Sequence, residues 1–197
     1  MVVLRGERVV LRPLRMDEFA TVMEAHRRLS PHDPPGAAAQ RIRRRIERSG
    51  RYVDGWLDLG IEAGSRLVGD VGARRPRGAL PPGVFELGIS VFASADRGKG
   101  YGGEAVALLT EYLFHALAAH RVQATTAVSN APMRRVLEKL AFVPEGTLRA
   151  FMPGAAGRDD YVMYAVTRGD WSCDAGRPRG RIATTDASRA RGDGASA

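Results

Sequence analysis

Four glycines and two cations fall within one short stretch, Arg97-Gly98-Lys99-Gly100-Tyr101-Gly102-Gly103. Residues of these types at this density suit the binding of an anion. Glycine lets the main chain approach a ligand closely and adopt positive φ. The first N–H groups of a helix lack internal partners and sit at the positive end of its dipole. Arg97 and Lys99 add formal charge where a diphosphate would lie. Such a cradle needs a strand to deliver the chain and a helix to carry it away. Residues 84–92 read as that strand. Over residues 101–118, Ala105, Leu108, Leu109, Tyr112 and Leu113 recur at helical spacing. Strand, glycine turn and helix start together make a phosphate site.

Two other phosphate motifs do not apply. Gly98-x-Gly100-x-x-Gly103 satisfies the dinucleotide-binding pattern, but the acidic residue expected roughly 20 positions later for the ribose is missing around Gln123. The turn also lies mid-chain, whereas that pattern sits early in a doubly wound domain. A Walker A loop needs Gly-Lys-Ser or Gly-Lys-Thr, and neither occurs.

The rest of the chain supplies the scaffold. Residues 8–14 read as a strand ended by Pro13 and Arg15. Met16-Asp17-Glu18 opens a helix with Phe19, Val22, Met23 and His26 on one face. Pro31, Pro34 and Pro35 interrupt the chain before a second helix at about 37–48. Residues 56–63 and 67–73 are strands joined at Gly64-Ser65. A proline- and glycine-rich loop at 74–83 precedes the strand bearing Glu86. Residues 122–128 are apolar and β-branched enough for a buried strand. Asn130 then starts a helix that tolerates Pro132 in its first turn and buries Val136, Leu137 and Leu140. Residues 147–152 and 161–166 read as a closing strand pair. This order predicts an α/β fold: a mixed, mostly antiparallel sheet with a short parallel centre, flanked by helices. Residues 1–171 form one domain. Residues 172–197 carry a single aliphatic side chain larger than alanine, Ile182, and are expected to be a flexible tail.

Composition narrows the function. The net charge is +8 and the pI about 10.5, but Lys99 and Lys139 are the only lysines and the arginines are dispersed. Specific nucleic-acid binding is therefore not expected, although polyanions would be attracted nonspecifically. No apolar run approaches the ~20 residues that span a membrane, and the first residues lack the pattern of a signal peptide. A cytoplasmic location is expected. With Cys173 the only cysteine, no internal disulfide or cysteine-built metal site is available, and no metal is expected.

The run Arg97-Gly98-Lys99-Gly100-Tyr101-Gly102 resembles the R/Q-x-x-G-x-G/A acetyl-CoA signature of the GNAT N-acetyltransferase superfamily. Val9-Val10-Leu11-Arg12-Pro13-Leu14-Arg15 followed by Asp17, the asparagine-headed helix at 130–142 and the last strand at 160–171 look like its RimJ/RimL branch. The similarity covers roughly residues 4–171. It implies a GNAT fold and an N-acetyltransferase that moves the acetyl group of acetyl-CoA to a primary amine, on a protein N-terminus or a small molecule, by direct attack in a ternary complex. It also implies cofactor contacts from Arg97, Gly98, Lys99, Gly100, Tyr101, Gly102, Gly103 and Asn130. Main-chain groups near Val91 and Phe92 would pair with the pantetheine arm like an added strand and offer an N–H to the developing oxyanion. Asn130 reads equally as a helix cap. The loop at 30–36 would border the acceptor, and a homodimer is an allowed assembly.

Amine attack requires a deprotonated nitrogen. Glu86 is the first candidate base, on a strand face shared with Gly88 and Ser90; it reads equally as a solvent-facing partner for arginine. Asp160, next to Asp159, matches a recurrent aspartate of the family. His115 and His120 are expected to be structural. Where relatives carry serine or tyrosine to protonate the departing thiolate, this chain has Met133 and Leu137, neither of which gives a proton. Tyr101 and Tyr164 are the substitutes considered. That departure motivates alternatives: a catalytically weak acyl-CoA-binding module, or a transferase of a larger acyl group such as succinyl.

Overall fold

A computed structural model of the chain describes residues 1–29, 34–75, 78, 80–154, 157–173 and 181–184. Nine strands form one sheet: β1 (Val2–Arg5), β2 (Val10–Arg12), β3 (Trp56–Ala63), β4 (Arg66–Arg74), β5 (Val84–Val91), β6 (Arg121–Ala127), β7 (Val143–Gly154), β8 (Gly157–Thr167) and β9 (Arg181–Thr184). Their order across the sheet is β7-β8-β6-β5-β4-β3-β2-β1-β9. The helices are α1 (Phe19–Leu29), α2 (Pro35–Arg48), α3 (Tyr101–Ala116), α4 (Ala131–Lys139) and α5 (Arg168–Cys173).

β5 and β6 run parallel, in register from Val84↔Arg121 to Leu87↔Ala124. The other neighbouring strands are antiparallel. The mixed sheet with a short parallel centre read from the sequence is therefore what forms. The parallel pairing stops at Leu87, although β5 continues to Val91 and β6 to Ala127. The sheet splits at this point, and the site described below occupies the split.

Strand alternation sends side chains to two layers. Leu57, Leu59 and Ile61 of β3 and Val71 and Ala73 of β4 pack in one core with α3. That helix is apolar around most of its circumference, the pattern of a helix with little exposed face; Ala105, Leu109 and Leu113 are fully buried. On the opposite face, Val22 and Met23 of α1 and Ala38, Ile42 and Ile46 of α2 form a second cluster with Leu14 and Leu67.

Several boundaries differ from the sequence reading. The strand read at 8–14 is the shorter β2, and a further strand, β1, precedes it in a hairpin closed by a Gly6 N–H to Val9 O bond of 2.9 Å. Residues 16–18 form a single 3-10 turn before α1. The closing strands are longer than the apolar runs that revealed them, because β7 is exposed along nearly its whole length and carries no alternation. Within the segment read as a tail, Ser172 and Cys173 continue α5, and β9 pairs antiparallel with β1, from Val2↔Thr184 to Arg5↔Arg181. The remainder of the tail lies outside the described residues, as do residues 30–33 of the loop expected beside the acceptor.

Candidate active site

The glycine turn links β5 to α3 through a 3-10 turn at Ser94–Asp96. Gly98 and Gly100 have φ of +76° and +85°, in the left-handed region that favours glycine. Gly100 is the N-cap residue of α3, and no side chain caps it. The first intrahelical bond runs from Glu104 N–H to Gly100 O at 3.1 Å, so the N–H groups of Tyr101, Gly102 and Gly103 have no intrahelical acceptor. A Cβ on Gly98 would meet nothing within 4 Å, and one on Gly102 would lie 3.7 Å from Ile89 and Val91. The cradle is open outward and packs directly on the end of β5. It therefore has the room and the donors that a diphosphate needs.

The two expected cations behave differently. Arg97 is exposed and makes no ion pair among the described residues. Lys99 Nζ lies 3.3 Å from the buried Asp96 carboxylate, which also holds Arg66 at 2.9 and 3.0 Å. The hydrogen bond from Arg66, followed by that from Lys99, keeps the Asp96 carboxyl below the usual carboxylate range. The sequence reading missed a third cation, Arg8. Its side chain passes within 3.6 Å of where a Cβ on Gly100 would be. Ninety-two positions separate these residues in the chain, so only the sheet order brings them together.

The split sheet exposes main chain. Phe92 N–H donates to Val68 O of β4 at 3.0 Å. The antiparallel ladder alternates, so Glu86, Gly88 and Ser90 also direct their main-chain groups to β4. Ile89 and Val91 direct theirs to the other edge, which has no strand partner beyond Leu87 among the described residues. Of the main-chain groups near Val91 and Phe92, the Phe92 N–H is thus engaged within the sheet, and Ile89 stands with Val91 on the open edge.

A cavity of about 610 Å³ fills the split and is lined from both faces of the sheet. On the α3 and α4 side it meets Val106, Asn130, Met133 and Leu137. Asn130 Oδ1 accepts the Met133 N–H at 3.3 Å, so it caps α4 while also lining the cavity. Met133 and Leu137 offer only apolar surface. Tyr161 of β8, which the sequence does not mark as a proton donor, lines the cavity too. Tyr164 is buried and committed elsewhere, donating to Glu138 at 2.9 Å and accepting from Arg134 at 3.2 Å.

On the α2 side the cavity meets Arg45, Asp58, Asp70, Arg74 and Glu86. Gly72 of β4 faces Gly88 of β5 across one rung and leaves a trough between these charges. Glu86 lies on the cavity, with Oε1 held by Arg74 at 2.5 Å. Asp58 accepts from Arg45 at 2.8 Å and from Arg48 at 3.0 and 3.1 Å. Arg45 also donates to Asp70 at 3.0 Å. Burial works against the Arg45 charge, but Asp70 and Asp58 outweigh it and hold the guanidinium protonated. Burial likewise pushes the Asp70 carboxyl above the usual carboxylate range; Arg45 opposes the rise without cancelling it.

Asp160 does not line the cavity. Its Oδ1 accepts the Ala150 N–H at 2.7 Å and pins the irregular pairing between Leu148 and Met152 of β7, where Ala150 has φ +49°. The expected catalytic aspartate is thus occupied with local structure. His115 pairs with Glu111 at 3.1 Å on an exposed helix end, and His120 lines a separate cavity beside Tyr52 and Phe85. No cluster able to hold a metal is found among the described residues.

Comparison with known proteins agrees with this geometry. Residues 8–143 match the family model described as an acetyltransferase (GNAT) domain. The probable N-acetyltransferase YjcK of Bacillus subtilis is 28% identical over 158 residues, covering 80% of this chain and 78% of YjcK. Mycobacterium smegmatis RimJ, solved in complex with CoA-disulfide, superposes with a TM-score of 0.66 at 25% identity, covering 86% of this chain and 88% of RimJ. The ribosomal-protein-S5-alanine acetyltransferase of Vibrio fischeri has a TM-score of 0.71 at 21% identity, covering 87% and 99% of the two chains. A split mixed sheet with a glycine cradle at its mouth and a family match over most of its length place this chain in the GNAT family of N-acetyltransferases.

Proposed function

We propose that the protein transfers the acetyl group of acetyl-CoA to a primary amine by direct attack, as a RimJ/RimL-like member of its family. The observation that carries this reading is the continuity of the uncapped start of α3, the unpaired edge of β5 at Ile89 and Val91, and the cavity that crosses the sheet. When bound, acetyl-CoA supplies a thioester carbonyl activated toward amines. Its diphosphate would lie on the N–H groups of Tyr101, Gly102 and Gly103, within the turn of Gly98 and Gly100, with Arg97, Lys99 and Arg8 adding charge. The main chain of Ile89 and Val91 would pair with the pantetheine arm, with Asn130 across the cleft. That M. smegmatis RimJ was solved with CoA-disulfide supports a CoA ligand and the branch assignment. The acceptor would enter from the α2 side, where Asp58, Asp70 and Glu86 suit a cationic amine.

The second reading, a binding module without turnover, rests on Met133 and Leu137. Tyr161, a hydroxyl-bearing residue lining the same cavity, weakens it. Two experiments test this reading. Gly100→Glu places a carboxylate at the mouth of the cradle and is expected to abolish CoA binding in calorimetry; unchanged affinity overturns the site. Thiol release by the native chain, with several acyl-CoA donors and a panel of N-terminal peptides and small amines, then separates transfer from binding and acetyl from larger acyl groups.

A further inference from the structure

We infer that Asp70, held by Arg45, accepts the proton that the amine must lose before attack, and that Glu86 does not. This role rests on the transfer reading above and adds a residue to it. Three carboxylates line the cavity, and their partners tell them apart. Both Asp58 oxygens are occupied, one by Arg45 and one by Arg48. Glu86 is bound by Arg74 on the adjacent strand. Asp70 gives only Oδ2 to Arg45, and Oδ1 accepts no hydrogen bond from the described residues. Among the described side-chain atoms sealed from solvent, Thr110 Oγ1 alone lacks a partner. The vacant Asp70 oxygen therefore opens to the cavity. Asp70 stands opposite Ser90, two residues along β4 from the Gly72–Gly88 trough, on the strand that pairs with the closed edge of β5.

The charged groups facing Asp70 are Arg45 from α2, Asp58 from β3 and His26 from α1; Ser90 of β5 is neutral. Arg45 bridges Asp58 and Asp70, which fixes the orientation of the Asp70 carboxylate. Burial raises the carboxyl, Asp58 adds to the rise, and Arg45 and His26 oppose it. A carboxylate whose affinity for protons is raised is a better match to a base working near neutrality. The step balances as follows. The ammonium passes one proton to Asp70, and its lone pair forms the nitrogen–carbon bond to the acyl group. The carbon–sulfur pair leaves with sulfur, the second nitrogen proton ends on sulfur as the thiol, and Asp70 returns its proton to water.

The test combines kinetics with titration of the ligand-free protein. Asp70→Asn is expected to bind CoA with native affinity in calorimetry, to lose about 100-fold or more in kcat/KM near neutrality, and to lose the acid limb of the native pH profile. Glu86→Gln is expected to keep that limb. Carbon-13 NMR of the aspartate carboxyl groups in the native chain should give Asp70 a midpoint above the usual carboxylate range. Arg45→Gln, which leaves the carboxylate in place, should move both that midpoint and the kinetic limb to higher pH. An acid limb that survives Asp70→Asn, or disappears in Glu86→Gln, overturns the assignment. If Asp70→Asn fails to fold, a kinetic limb that stays fixed in Arg45→Gln while the NMR midpoint moves overturns it equally. A native chain that binds no CoA overturns the transfer reading itself and this role with it.

Discussion

The Glu104 carboxylate accepts the main-chain N–H of Arg8 at 3.1 Å, across ninety-six positions of sequence. It also accepts the N–H of Glu7, and its side chain lies against Gly6. One buried side chain in the first turn of α3 thereby fastens the anion cradle to the β1–β2 hairpin. The same contact brings Arg8 to the mouth of the cradle. Glu104→Ala leaves two N–H groups without an acceptor and should cost about 2–3 kcal/mol. Urea unfolding checks this, with an unchanged midpoint as the contrary result.

Arg8 itself should contribute to ligand affinity without being required for folding. Its guanidinium is more than half exposed, so its attraction to a diphosphate is screened. Arg8→Ala is expected to weaken CoA binding by about twofold to fivefold at low salt, the scale of an exposed charge contact. In ~1 M salt, where the screening length is about 3 Å, the difference should vanish. Calorimetry at two salt concentrations distinguishes this from a structural effect, which salt would not erase.

Stability should depend on pH through Glu18. Burial tends to raise its carboxyl, but hydrogen bonds from Arg12 and the Arg15 N–H, together with their charges, outweigh it and leave the folded value lowered. A lowered carboxyl stabilises the folded chain above the unfolded pKa, and that contribution is lost as pH falls through the folded value. Glu18→Gln removes one partner of a buried pair joined at 2.5 Å. With Glu62 still bonded to Arg12 at 2.6 Å, the loss at pH 7 should be about 3 kcal/mol, the low end for such a pair. The gap between variant and native chain should narrow as the pH falls below the usual carboxylate range. A gap that is constant with pH would argue against the pairing.

Tyr161 lines the cavity and carries a hydroxyl, a group able to return a proton to sulfur. Tyr161→Phe should lower kcat by about tenfold to a hundredfold, below or at the low end of general-acid effects because a thiol is already a fair leaving group. CoA affinity should be unchanged. A native kcat would mean that sulfur takes its proton from water.

Much of the scaffold was legible because its signals are local. The helical spacing of Leu108, Leu109, Tyr112 and Leu113 depends only on neighbours within a few turns, and so does the glycine turn with its left-handed Gly98 and Gly100. Asn130 was legible as a cap for the same reason, since its acceptor contact spans three residues. β7 was only half visible, because an edge strand exposed along nearly its whole length carries no apolar alternation.

The chemistry of the cavity could not be read in this way. Glu86 was readable as a face-sharing carboxylate on its strand, but its pairing with Arg74 depends on the neighbouring strand in the sheet. Asp160 has the right residue type, yet a bulge in β7 places Ala150 where it claims the oxygen. Asp70 carries no local mark, and its raised carboxyl comes from burial beneath α2, which the single bond to Arg45 opposes without cancelling. The amino-acid sequence thus determined the elements, the anion turn and the family, since each follows from spacing along the chain. Which side chains meet across the split, and which oxygen is left vacant, was decided by the order of the strands, because contacts between residues tens of positions apart exist only once the sheet has formed.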